Sequence, residues 1–247
     1  MSKLTEKLRK VGKSEPGPIG FGLFAPRAKT PQLLLLAELP PAHDADAARQ
    51  ALADGADALL LGPTADLDRV KGVLAAAGEA PVGGGLEGHG VEVARALHEA
   101  GGDFLVLTSL DTPVAVLQLD GPAKLLEVDP DWGDTVLRAV EGLPLDAVLL
   151  RVAGPCTLAT WLTCLRVAGL TRRALLVALP GPVDGDALTS LRDAGASAVV
   201  VEPAAVAAAR RLIDTLPSPK RRREHAEALL PAAPQRTPAP SEEEDDD

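Results

Sequence analysis

Two carboxylates that stand at the ends of apolar runs are the main candidates for acid–base chemistry. Glu38 ends the run Leu33–Glu38, and Asp129 directly follows the run Lys124–Val128. Two carboxylates in unequal environments can divide the roles of general acid and general base. The alternative is that each is a solvated loop residue. We predict that Glu38 and Asp129 form a catalytic pair if the fold brings these run ends to one place.

Four further polar residues follow other apolar runs and could modify this pair. Glu202 would neighbour Glu38 in a closed sheet, where two carboxylates could hold a divalent cation. Arg151 could instead neutralise one carboxylate or bind an anion. His43 and His89 lie on loops that could reach the same place. Because no HxH, HExxH or paired Cys/His spacing occurs in the chain, the sequence identifies no metal.

A run of three glycines is the clearest local motif for ligand binding. Gly83, Gly84 and Gly85 separate an apolar run from a predicted helix. Glycines there would let backbone N–H groups approach an oxyanion beside a helix N-terminus. Thr108 and Ser109, after the next run, could add hydroxyl groups. We predict an anion-binding loop; the alternative is a tight turn that needs positive φ angles and binds nothing.

The same glycines formally match a dinucleotide fingerprint. Gly83, Gly85 and Gly88 fit G-x-G-x-x-G, but that motif also needs an acidic residue at the end of the next strand. Thr108 and Ser109 stand at that position. The sequence therefore favours a general oxyanion site over a nicotinamide site and identifies no cofactor.

A junction between a helical pattern and an apolar run occurs four times in the chain and indicates which strands and helices position these residues. A helical pattern ends and an apolar run begins at Gly55–Ala58, Gly101–Phe104, Pro144–Ala147 and Gly195–Ala198. The spacings are about 46, 43 and 51 residues. Each interval has room for two strand–helix units, which predicts an α/β fold of the (β/α)8 barrel class. An open doubly wound sheet, which uses the same alternation, is the alternative.

The apolar and helical patterns give the element bounds. The predicted strands are Leu33–Glu38, Ala58–Leu61, Ala80–Val82, Phe104–Leu107, Lys124–Val128, Ala147–Leu150, Ala174–Leu179 and Val199–Val201. A helix is predicted after each strand, the fourth being brief because Gly121-Pro122 follows it. Barrel enzymes place their chemistry at the carboxyl ends of the strands, where the candidate residues stand.

Segments of different composition flank the predicted barrel of residues 33–216. Residues 1–32 comprise a short basic amphipathic helix and a Pro/Gly-rich arm with Phe21 and Phe24. Leu4, Leu8 and Val11 form the apolar stripe of that helix, which we expect to cap one end of the barrel; attachment to a membrane surface is the alternative. Residues 217–247 are first basic, then Ala/Pro-rich, then acidic, which predicts a disordered tail.

Composition excludes several classes of partner. Of the 247 residues, 46% are hydrophobic but only 2% are aromatic, and the net charge is −10. Few rings and excess negative charge argue against nucleic acid and anionic membranes. No apolar run reaches the length of a membrane span, and the charged start lacks a signal peptide pattern. Cys156 and Cys164 are predicted to be buried free thiols, as expected in the cytoplasm.

One stretch resembles a known group of enzymes. The segments Pro81–Leu86, Ala94–Leu97, Ala100–Asp103 and Thr108-Ser109 resemble the third and fourth units of the histidine-biosynthesis isomerase and cyclase barrels, within the phosphate-binding, aldolase-type barrels. The resemblance implies that the three-glycine loop holds a substrate phosphate. It also implies acid–base carboxylates on strands 1 and 5, which are Glu38 and Asp129 here.

The chain departs from that pattern after strands 7 and 8. Pro180-Gly181-Pro182 and Glu202-Pro203 occupy the places where such barrels bind a second phosphate, and a carboxylate there would repel it. Our prediction is an isomerase or lyase acting on a small anionic metabolite, with Arg151, Thr108 and Ser109 among the binding residues. The alternative is a barrel without catalysis that serves as a binding or scaffold protein.

Overall fold

Eight parallel strands form a closed barrel in the computed structural model. The strands follow chain order around the barrel, and β8 pairs with β1, with Leu36 opposite Val200. This closure confirms the predicted (β/α)8 class and rules out the open sheet. The structure describes residues 2–12, 31–41, 44–63, 66–86 and 90–217. The predicted Pro/Gly arm, His43, His89 and the acidic tail lie outside these residues, so the predicted division at residues 32 and 217 stays a prediction.

Strands and helices alternate throughout the barrel. The strands are β1 Leu34–Leu39, β2 Ala58–Leu61, β3 Val82–Leu86, β4 Phe104–Leu107, β5 Ala123–Val128, β6 Ala147–Arg151, β7 Ala174–Ala178 and β8 Ala196–Val201. The α-helices are α1 Lys3–Lys10, α2 Ala45–Ala53, α3 Leu67–Ala77, α4 Val91–Glu99, α5 Asp134–Ala139, α6 Leu158–Thr171, α7 Gly185–Asp193 and α8 Val206–Thr215. A short 3₁₀ helix, Val114–Gln118, replaces the fourth barrel helix, as its weak pattern predicted.

Glycine makes the turn at three of the four repeated junctions. Gly55, Gly101 and Gly195 follow the caps of α2, α4 and α7 with φ angles of 101°, 106° and 99°. An L-residue with a side chain rarely adopts such angles, whereas glycine does so at little cost. Each junction thereby ends a helix and turns the chain into the next strand.

Side chains alternate between two cores on either side of the barrel wall. One set, including Leu35 and Leu59, packs against the surrounding helices, and the other, including Leu34, Leu36 and Leu60, fills the barrel interior. The period of two in a strand produces this alternation. Residues of the interior set at the carboxyl ends of the strands therefore point into the mouth of the barrel.

The three glycines lie inside β3 and not in a loop. β3 begins at Val82 and extends to Leu86, and Gly83 and Gly84 pair with residues of both β2 and β4. The predicted third strand was therefore too short, and the predicted glycine loop is wrong. None of the three has a positive φ angle, so the tight-turn alternative is also wrong. Their small size instead makes room for neighbouring groups, above all Phe104.

Gly83→Ala is expected to lower the free energy of unfolding by about 2 kcal/mol, the usual cost of overpacking a core. A Cβ atom at Gly83 would lie 2.2 Å from Cδ2 of Phe104, which is fully buried inside the barrel. Urea denaturation measures the effect. The matched control is Gly72→Ala on the exposed side of α3, where nothing lies within 4 Å and alanine favours the helix. Equal stability of both variants would contradict this account of the glycine run.

Helix α1 covers the amino-terminal end of the barrel. Leu4 is fully buried and Leu8 is 8% exposed, and both belong to the interior core. Asp103, just before β4, accepts hydrogen bonds from Ser2 Oγ and from the backbone N–H groups of Lys3 and Leu4 at 2.7–2.8 Å. The apolar stripe of the helix thus packs inside the barrel, at the end opposite the mouth.

Among the described residues, no helix is both long enough and apolar enough to span a membrane.

Native-state alkylation near pH 8 should modify Cys156 and spare Cys164. Cys164 is fully buried on α6, and burial raises the pKa of its thiol to about 12, so the reactive thiolate is scarce below that pH. Burial also raises the pKa of Cys156, but this residue is only partly buried. Mass spectrometry of the intact protein should count one label in buffer and two in denaturant. Rapid double labelling of the folded protein would contradict the burial of Cys164.

Candidate functional site

Three charged residues continue the interior series of their strands into the barrel mouth. Each occupies the position two residues beyond a buried aliphatic residue that faces the barrel interior. The series are Leu34–Leu36–Glu38 on β1, Ala123–Leu125–Glu127 on β5 and Ala147–Leu149–Arg151 on β6. The alternation that builds the core thus also places Glu38, Glu127 and Arg151 together.

Arg151 spans the mouth and binds both carboxylates. Its Nη1 and Nη2 atoms donate to the two oxygens of Glu38 at 2.8 and 2.7 Å, and its Nε donates to Oε1 of Glu127 at 3.0 Å. Such bidentate pairing fixes both the position and the plane of a guanidinium group. The hydrogen bonds to Glu38, together with the charges of both carboxylates, raise the pKa of Arg151 above its ordinary value. The group is a permanent cation held between two acids.

These residues line a cavity of about 670 Å³, which is large enough for a small metabolite. The other described lining residues are Pro63, Thr108, Ser109 and Asp111. The side chains of Glu38 and Glu127 are 23% exposed and that of Arg151 is 41% exposed. The charged groups are therefore accessible to a ligand and yet largely fixed by one another.

One carboxylate oxygen of Glu127 accepts a hydrogen bond, and the other has none among the described residues. Oε1 accepts the hydrogen bond from Arg151, whereas Oε2 is buried and has no hydrogen-bond partner in the described part of the chain. A buried acceptor without a partner is costly, and such atoms are rare in folded proteins. Oε2 of Glu127 therefore keeps its acceptor capacity unused, and it lies beneath the surface of the cavities that this residue lines.

Asp129 lies in a neighbouring cavity. β5 ends at Val128, and Asp129 begins a turn in which its Oδ1 accepts a hydrogen bond from the N–H of Asp131 at 2.8 Å. It lines a cavity of about 360 Å³ beside the first. Glu127, which the sequence analysis did not select, is therefore the strand-5 carboxylate that shares Arg151 with Glu38. The alternation in Ala123–Leu125–Glu127 was the signal that could have revealed it.

The two cavities adjoin because Thr108, Glu127 and Arg151 line both. The other lining residues of the second cavity are Leu110, Val128, Asp129, Pro130 and Trp132. Arg166 of α6 fixes this loop by donating to the carbonyl oxygens of Pro130 and Trp132 and to Asp134. The loop that carries Trp132 is thus held by the guanidinium of Arg166, which is itself paired with Asp134.

The two predicted hydroxyl donors differ in availability. Thr108 Oγ1 donates to the carbonyl oxygen of Leu86 at 3.0 Å, so its proton is already used. Ser109 Oγ accepts from the N–H of Asp111 at 3.1 Å, which leaves its own proton for a ligand. Both residues line the first cavity, but Ser109 is the better anion donor.

The remaining candidates do not join this cluster. Glu202 is exposed in the loop after β8, and neither cavity includes it among its lining residues. His89 lies outside the described residues. Within the described ranges, no group of three or more acidic, histidine or cysteine residues has the geometry of a metal site. Of the roles considered for Arg151, neutralisation of Glu38 is the one found, and pairing of Glu38 with Glu202 around a cation finds no support.

Comparisons with known proteins identify the barrel fold but no family. Thiamine phosphate pyrophosphorylase from Pyrococcus furiosus matches with a TM-score of 0.58 and 14% identity, covering 74% of this chain and 96% of that chain. A mutant tryptophan synthase alpha-subunit from the same organism matches with a TM-score of 0.58 and 16% identity, covering 76% and 97%. No protein-family description and no curated sequence matches the chain.

The likeness is one of fold. It confirms the barrel fold that the sequence resemblance implied, and both similar structures are barrel enzymes. Identities this low transfer neither substrate nor residue roles, because one fold supports many unrelated activities. The function must therefore be argued from Glu38, Glu127, Arg151 and the cavities beside them.

Proposed function

We propose that the chain is a small-metabolite isomerase or lyase in which Glu127 transfers a proton to or from carbon. The proposal depends on the difference between the two carboxylate oxygens of Glu127. Oε1 is fixed by Arg151, whereas Oε2 is buried and has no hydrogen-bond partner among the described residues. A general base must be positioned and must keep one acceptor for the substrate proton. Oε2 is positioned and uses no acceptor capacity on the protein, and a small shift of the Glu127 side chain would bring it to the surface of the cavity that this residue lines.

Arg151 would stabilise the negative charge that develops when the proton leaves. A proton next to a carbonyl group departs more readily when a fixed cation lies near the carbonyl oxygen. Arg151 uses three of its N–H groups on Glu38 and Glu127, and a guanidinium has five. Two N–H groups remain for substrate oxygens, and the Ser109 hydroxyl can supply a third donor. Glu38 would hold Arg151 in place through its two bonds.

The predicted anionic group of the substrate would bind at these donors. A carboxylate or phosphate oxygen on Arg151 and Ser109 would place a neighbouring carbon beside Glu127 Oε2. The name of thiamine phosphate pyrophosphorylase prompts the same expectation, but only as analogy at the level of fold. Participation of Asp129 in the chemistry and a cytoplasmic setting remain predictions of the sequence.

A barrel without catalysis is the second candidate, and one observation weighs against it. The scaffold interpretation predicts a mouth filled by the N-terminal segment. Helix α1 instead packs at the opposite end, and the described residues leave a cavity beside Glu38 and Arg151. Phe21 and Phe24, which could also have filled the mouth, lie outside the described residues.

Exchange of substrate C–H protons with solvent tests the proposal. The purified protein is incubated in D₂O with panels of small oxo acids, amino acids and sugar phosphates, and proton NMR follows loss of carbon-bound hydrogen. At least one compound should exchange or isomerise faster with the protein than with the same protein after denaturation. If every panel exchanges at the background rate, while the protein is folded by circular dichroism, the proposed function is wrong.

A further inference from the structure

The described lining of the two adjoining cavities is strongly acidic. It holds four carboxylates and a single guanidinium, which gives a formal charge of −3. The carboxylates are Glu38, Asp111, Glu127 and Asp129, and the guanidinium is Arg151. A cleft of one sign concentrates ligands of the opposite sign. A purely anionic ligand would therefore be repelled by most of the groups that line this site.

Neighbouring arginines do not offset this charge within the lining. Arg166 is paired with Asp134 and donates to two loop carbonyls behind the second cavity. Arg69 donates to the carbonyl oxygens of Leu39 and Pro40. Neither residue lines either cavity, so the charge excess faces the ligand.

The lining of the second cavity combines carboxylates with an aromatic and an aliphatic side chain. Trp132 and Leu110 line it together with Asp129 and Glu127, and Leu110 is 66% exposed. An aromatic ring beside carboxylates is the usual environment for an organic ammonium group, which gains from both the charges and the ring. An exposed leucine at the same place offers contact to an apolar group attached to that ammonium.

We propose that the substrate is a zwitterion that carries an ammonium group on an apolar frame in addition to its oxyanion. The oxyanion lies on Arg151 and Ser109 in the first cavity, and the ammonium group lies beside Asp129 and Trp132 in the second, which leaves Oε2 of Glu127 for the proton. This assignment rests on the proposed function, because it uses the same Arg151 and Ser109 as oxyanion donors. It names the class of substrate, a small apolar amino acid or a close relative, whose oxyanion meets the one cation of the site and whose ammonium group meets its carboxylates.

Matched ligands that differ only in charge test this assignment. Phenylalanine, phenethylamine and 3-phenylpropionate share an aromatic frame, and leucine, isoamylamine and 4-methylpentanoate share an aliphatic one. At the same millimolar concentration, a ligand that binds the folded state raises the melting temperature, and the shift is larger for the ligand that binds more tightly. The zwitterion should give the largest shift within each frame, the amine a smaller one, and the acid none.

Two variants test whether the predicted residues cause the shift in melting temperature. The variant Asp129→Asn should lose at least the amine shift, whereas Glu99→Gln, an exposed charge change on α4, should keep the wild-type response. A shift from the acids that equals or exceeds that from the amines overturns the assignment. So does the absence of any shift from zwitterions and amines. Amine binding without proton exchange in any panel would instead leave the assignment standing and refute the proposed function.

Discussion

Glu127→Gln is expected to slow proton exchange at the substrate carbon by about 100-fold or more, the usual contribution of a general base. The amide keeps the size of the side chain, and its oxygen can still accept the hydrogen bond from Arg151 Nε. It removes the negative charge beside Arg151 and the ability of the second position to take up a proton. The exchange rate in D₂O, measured by NMR on the best compound of the panels, gives the effect.

Asp129→Asn is the matched comparison, because it makes the same chemical change two residues along the chain. Asp129 lines the neighbouring cavity and accepts a hydrogen bond within its own turn, so the exchange rate at saturating substrate should fall by less than about threefold, below the contribution of a general base. The substrate concentration for half-maximal exchange should rise, because the proposed ammonium contact is lost. Unchanged melting temperatures would show that both variants fold. If Asp129→Asn abolished exchange and Glu127→Gln did not, the pair Glu38–Asp129 predicted from sequence would be the catalytic one.

The barrel could be predicted because its signals are local and repeated. Three junction glycines mark where helices end, and continuous apolar runs mark strands that are buried on both faces. Closure itself followed from counting eight units. The bounds failed at β3, where three successive glycines were interpreted as a loop although Gly83 leaves space for Phe104 from the neighbouring strand. That contact joins residues far apart in the chain, so local pattern could not show it.

The site was predicted less well for a related reason. Glu38 and Arg151 were selected because they end apolar runs, and the structure brings them together. Glu127 lies inside a run, and Asp129 was chosen because it follows one. Position relative to the barrel interior depends on alternation along the strand, whereas position at a run end does not. A charged residue in phase with the interior aliphatic residues was the better guide.

Leu4→Ala should lower the free energy of unfolding by about 3 kcal/mol, as for other large-to-small changes in a core. Leu4 is fully buried and packs with the interior cluster at the amino-terminal end of the barrel. Removal of its side chain leaves a space beneath α1 that neighbouring strands cannot fill, because their own interior side chains are already packed. Urea denaturation measures the loss, and Lys10→Ala on the exposed side of α1 should change stability by less than about 0.5 kcal/mol.

Asp103→Ala tests the polar half of the same contact. Its carboxylate accepts from Ser2 Oγ and from the N–H groups of Lys3 and Leu4, which lie in the first turn of α1 and have no partner within the helix. The loss should be about 2 kcal/mol, in the range for hydrogen bonds to a charged group. The double variant with Leu4→Ala should cost less than the sum of the two losses, because both residues hold the first turn of α1 and either change weakens the other contact. Strict additivity would instead show that the two contacts stabilise α1 independently.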